Sequence, residues 1–144
     1  MNASANKPAA WFWIISVISL VWNLMGVMAF FMEVTMTPEA IQAMPEAERS
    51  LHTDIPVWTI VCFAIAVFGN TLGSILLLLR KQLAVLVFTV SFFFTLAQMI
   101  YTVFISDLVA VQGVEATIFP AVIVLSGILF IWFARASAAK GWVK

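Results

Sequence analysis

Asn23, Asn70, Thr95 and Gln98 are the side chains of this sequence best suited to chemistry, and that chemistry is hydrogen bonding rather than catalysis. Amides and hydroxyls donate and accept without carrying charge. In apolar surroundings they either satisfy one another or grip the polar groups of a solute. The first use is structural glue, worth about 1 kcal/mol per contact in lipid. The second is a binding site. Glue is the expectation here, because the amides are few and close-packed helices leave little volume between them. No nucleophile sits beside a base, no glycine-rich loop could cradle phosphate, and no ligands carry metal spacing. His52 stands near Glu48 and Asp54 and reads as a solvated loop histidine; those groups are too few for a metal without a second copy of the chain. Cys62 is the single cysteine, so it has no disulfide partner and reads as a small packing residue. The expectation is a chain that is not an enzyme and carries no cofactor and no metal.

The elements that hold these residues are apolar spans at 10–32, 56–79, 83–105 and 117–134. Each has about the 20 residues that a helix needs to cross some 30 Å of hydrocarbon. The chain of 144 residues is 64% hydrophobic and 10% charged, with a mean hydropathy of +1.10, which lies outside the range of a soluble domain. The spans consume most of it, so a single all-α membrane domain over 1–144, an integral four-helix bundle, is expected. Residues 1–6 form a short polar tail expected to be mobile. The first span is too long, and its far end at Met28–Met32 too bulky, for a cleaved signal peptide.

Charge sorts these spans into a topology. Lys7, Arg80, Lys81, Arg135, Lys140 and Lys144 fall on one side, and Glu33, Glu39, Glu46, Glu48, Asp54, Asp107 and Glu115 on the other with Arg49. The formal net charge of zero is thus a separation of +6 from −6. Lys and Arg in short loops stay cytoplasmic during insertion. Both chain ends are therefore expected inside, with the loop at 33–55 outside. So few bases, all serving as side markers, make no nucleic-acid surface. Trp11 and Trp13, then Trp58 and Tyr101, then Trp132 fall at the two interfaces, where amphipathic rings anchor; Trp22 falls in mid-membrane.

In the outer loop, Thr37-Pro38-Glu39 has the hydroxyl cap, first-turn proline and acid of a helix start. Pro45-Glu46 repeats the signal, so two short helical turns are expected there, with Ile41, Met44 and Leu51 facing the bundle or the membrane interface. Arg80-Lys81 alone separates the second and third spans, which makes those helices antiparallel neighbours.

Within the spans, small and polar residues recur in alternating three- and four-residue steps: Ser16, Ser19, Asn23, Gly26; Thr59, Cys62, Ala66, Gly69, Gly73, flanked by Asn70; and Ser91, Thr95, Gln98, Thr102. The last span has a weaker series, Pro120, Gly127 and Ala134, with Ser126 beside it. Such stripes lie on one helix face and point into the bundle. Counted from each span's centre, Asn23 and Asn70 lie within roughly 3 Å of the midplane. With Gln98 they are expected to form one polar layer. Gly69 and Gly73 make a Gly-x-x-x-Gly pair that could also serve a homo-oligomer. No Asp, Glu, Lys, Arg or His lies within a span, which excludes proton coupling through a membrane carboxylate.

Phe68-Gly69-Asn70-Thr71-Leu72-Gly73-Ser74-Ile75-Leu76-Leu77-Leu78-Leu79-Arg80-Lys81, with Trp22-Asn23-Leu24-Met25-Gly26 and Met36-Thr37-Pro38-Glu39, resembles small four-span bacterial inner-membrane proteins, some labelled as sugar transporters. The resemblance covers nearly the whole chain and implies the fold and an inner-membrane location. It brings no functional residues. The chain fits less well with small multidrug exporters, which are built around a membrane glutamate where this chain has Ser16, Ser19 and Asn23, or with three-span half-transporters. The residues alone favour an accessory or assembly-type bundle, in a homo-oligomer or a larger membrane complex; the resemblance favours a small-solute transporter.

Overall fold

The structure, a computed structural model, describes residues 6–144; of the polar tail at 1–6, only Asn6 falls within them. The chain folds as α1 (Ala10–Val34), α2 (Pro38–Gln42), α3 (Glu46–Arg49), α4 (Val57–Leu78), α5 (Leu83–Ile100), α6 (Leu108–Gln112) and α7 (Ile118–Ala139). A π-helical turn, Tyr101–Ile105, prolongs α5, and a 3-10 turn, Val114–Thr117, leads into α7. Four of these segments are long and apolar enough to cross a membrane. A helix satisfies every backbone group within its own segment, as hydrocarbon demands.

The distribution of side chains is inside-out. Ser16, Ser19 and Ser74 are fully buried, while Phe104 is 80% exposed and Val57 74%. In water such a surface would drive aggregation. In lipid the exposed apolar groups meet their own kind, and the buried small residues let helices approach. The protein is an all-α, multi-pass membrane four-helix bundle.

Backbones approach closest between α4 and α5, then between α1 and α4, then between α5 and α7. Glycines make this possible. A Cβ on Gly73 would come within 2.9 Å of the Phe88 ring, and one on Gly69 would collide with Ser91 Oγ. A Cβ on Gly127 would lie 2.7 Å from the Phe92 ring, and one on Gly26 3.3 Å from Val67. The Gly69–Gly73 face is therefore occupied by α5 of the same chain. A second copy has to dock elsewhere, contrary to the oligomer contact expected from the sequence. Between α1 and α7 no such backbone seam forms; these helices meet through aromatic rings.

At the end of the bundle that carries Arg80, Lys81 and Lys140, α4 and α7 stop in the same way. Arg80 N–H donates to Leu77 O and Lys81 N–H to Leu76 O, each at 2.8 Å. Gly141 N–H donates to Ala138 O at 3.0 Å and Trp142 N–H to Ser137 O at 2.9 Å. Both are Schellman closures, with Gly141 (φ 71°) and, less usually, Arg80 (φ 57°) in the left-handed position. Arg80 is kept there by further bonds: its Nε donates to Trp142 O at 2.7 Å, and Lys144 N–H donates to its carbonyl at 2.8 Å. Gln82 N–H returns a bond to Lys144 O at 2.9 Å. The chain's last residues are thus stitched to the α4–α5 turn. Trp142 and Val143 are buried against Phe12, Phe133 and Leu77. Lys140 Nζ lies 4.9 Å from the Trp11 ring and 4.6 Å from the Trp142 ring. The sequence does not mark Trp142 as an interface anchor, because a tryptophan after a helix stop reads as a tail.

At the opposite, acidic end, Thr37 Oγ1 caps α2 by accepting from Ala40 N–H at 3.2 Å. Arg49 donates to Met44 O at 3.0 Å and Gln42 O at 2.8 Å, stapling α2 to α3. That employment explains a lone base on the acidic side. His52 differs from its expected surroundings. It is half-buried, and its Nδ1 lies 3.1 Å from Glu33 Oε1 in the last turn of α1. Its partner is Glu33, rather than Glu48 or Asp54, and the contact ties the loop to α1.

Candidate functional site

Buried polar groups line up across α1, α4 and α5. Asn23 Nδ2 donates to Ser74 Oγ at 2.9 Å and makes a longer contact of 3.4 Å with Asn70 O. Ser19 Oγ and Ser74 Oγ are 2.6 Å apart, and Ser74 Oγ is 3.1 Å from Asn70 O. Ser74 has one proton. If it goes to the Asn70 carbonyl, Ser19 must be the donor to Ser74. Asn70 Nδ2 then reaches Thr95 Oγ1 at 3.4 Å, and Thr95 Oγ1 donates to Ser91 O at 3.0 Å. Ser16 Oγ returns to Phe12 O of its own helix at 2.8 Å. The hub of this chain of bonds is Ser74, which sequence reasoning passed over. The available signal was its position one turn after Asn70 and beside Gly73.

Leucine at Asn23 would remove two of these contacts and leave the Ser74 side short of a donor. Asn23→Leu is expected to destabilise the bundle by about 1 kcal/mol. Detergent-titrated unfolding measures this, and an unchanged midpoint would count against a structural role for the amide.

Satisfying one another does not exhaust these groups. A cavity of about 410 Å³ lies at their level, with walls from all four long helices. Asn23 and Gly26 come from α1, Ala66 and Asn70 from α4, Thr95 and Gln98 from α5, and Ser126 and Gly127 from α7. Gln98 is half-buried and lines this space without bonding to Asn23 or Asn70, so the amide layer is open on the α5 side rather than closed. Trp22, Phe63, Phe119 and Phe130 add aromatic walls. No lining residue is ionisable.

The cavity exists because of the seam that is missing. Where α1 and α4, or α4 and α5, approach through glycine and serine, α1 and α7 are propped apart by large rings. Phe12 and Phe133 stack at 5.7 Å at the basic end, and Trp22 and Phe119 stand at 6.4 Å further along. Towards the basic end the space is stoppered. Phe130 forms part of its lining and stacks on Phe88 at 5.9 Å, and Phe12, Phe133 and Trp142 belong to the same buried cluster. Towards the acidic end the space adjoins a second hollow of about 480 Å³, lined by Gln112 and Glu115; Thr102, Phe119 and Pro120 border both. The π-helical turn helps to build this boundary: Ser106 N–H donates to Tyr101 O at 2.8 Å, while Thr102 lines both hollows.

Of the other residues marked by the sequence, Gly69 and Gly73 serve the α4–α5 seam, and Cys62 is half-buried on α4 outside the cavity lining. No family model, curated protein or solved structure matches the chain.

Proposed function

We propose that this chain is a non-enzymatic membrane protein that binds a small, largely apolar solute in mid-membrane and carries it across the bilayer. The cavity at the Asn23–Asn70 layer carries the reading. Its volume of about 410 Å³ falls within the 300–1,000 Å³ typical of small-molecule sites. A mid-membrane pocket stoppered at one end and adjoining a vestibule at the other has the form of a carrier in one of its two orientations. An accessory or assembly bundle needs no such space, and would gain from packing it shut.

A sugar, the substrate that the resemblance implies, fits the lining poorly. It would bring several hydroxyls to a wall with few free donors: Asn23 Nδ2 already makes two contacts and Asn70 Nδ2 one, which leaves mainly Gln98. A mainly apolar body, with one or two polar atoms for Gln98 and the free amide oxygens, fits better. Phenylalanine at Ser126 would fill the cavity from α7. Native mass spectrometry of the protein purified in detergent should show a retained small molecule that Ser126→Phe lacks. The same adduct on both proteins, or none on the wild type, would sink the reading.

The proposal includes a bacterial inner membrane, which the resemblance implies, with both chain ends cytoplasmic on the strength of the charge separation. Reporter fusions after Lys81 and Lys144 should behave as cytoplasmic, and one at Ala47 as periplasmic. The reverse pattern would overturn this orientation.

A further inference from the structure

We infer that the cavity and the vestibule are two halves of one site, and that it selects an amphipathic cation, taking the apolar body into the cavity and leaving the positive head in the vestibule. This rests on the reading above, that the cavity holds a solute. Three observations carry the added step. The two hollows share Thr102, Phe119 and Pro120, so one molecule can occupy both. The inner half has aromatic walls and no ionisable group, which suits an apolar body and rejects a bare charge at membrane depth. The outer half has one ionisable lining residue, the carboxylate of Glu115, and neither half has a basic one.

The surroundings agree in sign. Every acid of the chain belongs to the segments at this end or to the helix turn entering them; of the basic side chains among them, Arg49 donates to the carbonyls of Met44 and Gln42 and His52 lies against Glu33. An anionic head would meet repulsion and find no donor cation. A cationic head in the vestibule gains Glu115 and lies beside Phe119, an aromatic ring of the kind that attracts positive charge. Glu115 is exposed, so its contribution is screened by salt and falls as ionic strength rises.

The test uses two probes of nearly one shape, benzyltrimethylammonium and its uncharged carbon isostere neopentylbenzene. The full chain is placed in nanodiscs of zwitterionic lipid, and binding is read from tryptophan fluorescence, with Trp22→Phe as the reference that removes the reporter in the cavity. At low salt the cation should bind about five-fold more tightly than the isostere, the factor expected of one exposed charge pair at contact. Glu115→Gln, a surface change that leaves the bundle intact, should erase that advantage without altering the isostere's affinity. Equal binding of the two probes to the wild type, or an advantage that survives Glu115→Gln, overturns the charge selection while the cavity reading stands. No Trp22-dependent binding of either probe overturns both.

Discussion

Gly73→Ala is expected to loosen the bundle at its tightest seam, by about 1–3 kcal/mol in detergent-titrated unfolding. Two effects compete at this position. Alanine is the better helix former by about 1 kcal/mol in water. Against that, the new methyl would sit within 2.9 Å of the Phe88 ring. Phe88 is 1% exposed and stacked on Phe130, so it cannot swing aside without disturbing α7. The clash should win. A leucine at Gly73 should leave no assembled bundle. The cause is checked by a second change: Phe88→Leu, destabilising alone, should recover part of the loss when combined with Gly73→Ala, as a double-mutant cycle would register. A Gly73→Ala protein as stable as the wild type would mean that α4 and α5 do not pack as described.

Trp142→Ala should cost more, about 3 kcal/mol, within the range for deleting a large buried aromatic. The ring is 8% exposed and makes edge contacts with Trp11 at 4.9 Å and Phe12 at 5.8 Å. Removing it also takes away one of the two rings that hold Lys140 and leaves the basic end of the bundle without its cover. Trp142→Phe should keep most of the stability, because the packing rather than the indole N–H is what counts there. Thermal unfolding of the three proteins side by side measures this. A Trp142→Ala protein that melts with the wild type would remove the plug from the account.

The architecture was legible because each long helix announces itself by length, hydropathy and the absence of charge, and because Thr37-Pro38-Glu39 spells out a capped helix start. The helical stripes were legible too: Ser16, Ser19 and Asn23 are all buried on one face of α1. What did not follow was the way those stripes are shared out. The Gly69–Gly73 spacing promises a helix contact but does not say whose helix, and α5 of the same chain takes it. The cavity was unreadable for a related reason. It depends on one pair of helices, α1 and α7, failing to close, and a sequence shows what each helix could present rather than which seam is left open. Ser74 and Trp142 were hidden by their settings, one inside a leucine-rich run and the other behind a glycine stop. His52 was placed by sequence neighbours, whereas its partner Glu33 comes from the far side of the loop.

The lining of the cavity has an electrical consequence. A protein that rearranges around an ionisable intramembrane residue moves charge through the field, at about 2.3 kcal/mol per elementary charge per 100 mV. The walls here carry none. On the proposed carrier reading, turnover of the empty site would therefore be blind to membrane voltage, and the current of a full cycle would equal the charge of the passenger alone. Membrane potential would then act on this protein only through what it carries: a neutral passenger would run down its own concentration gradient at any voltage, while a cationic one would be drawn toward the negative side.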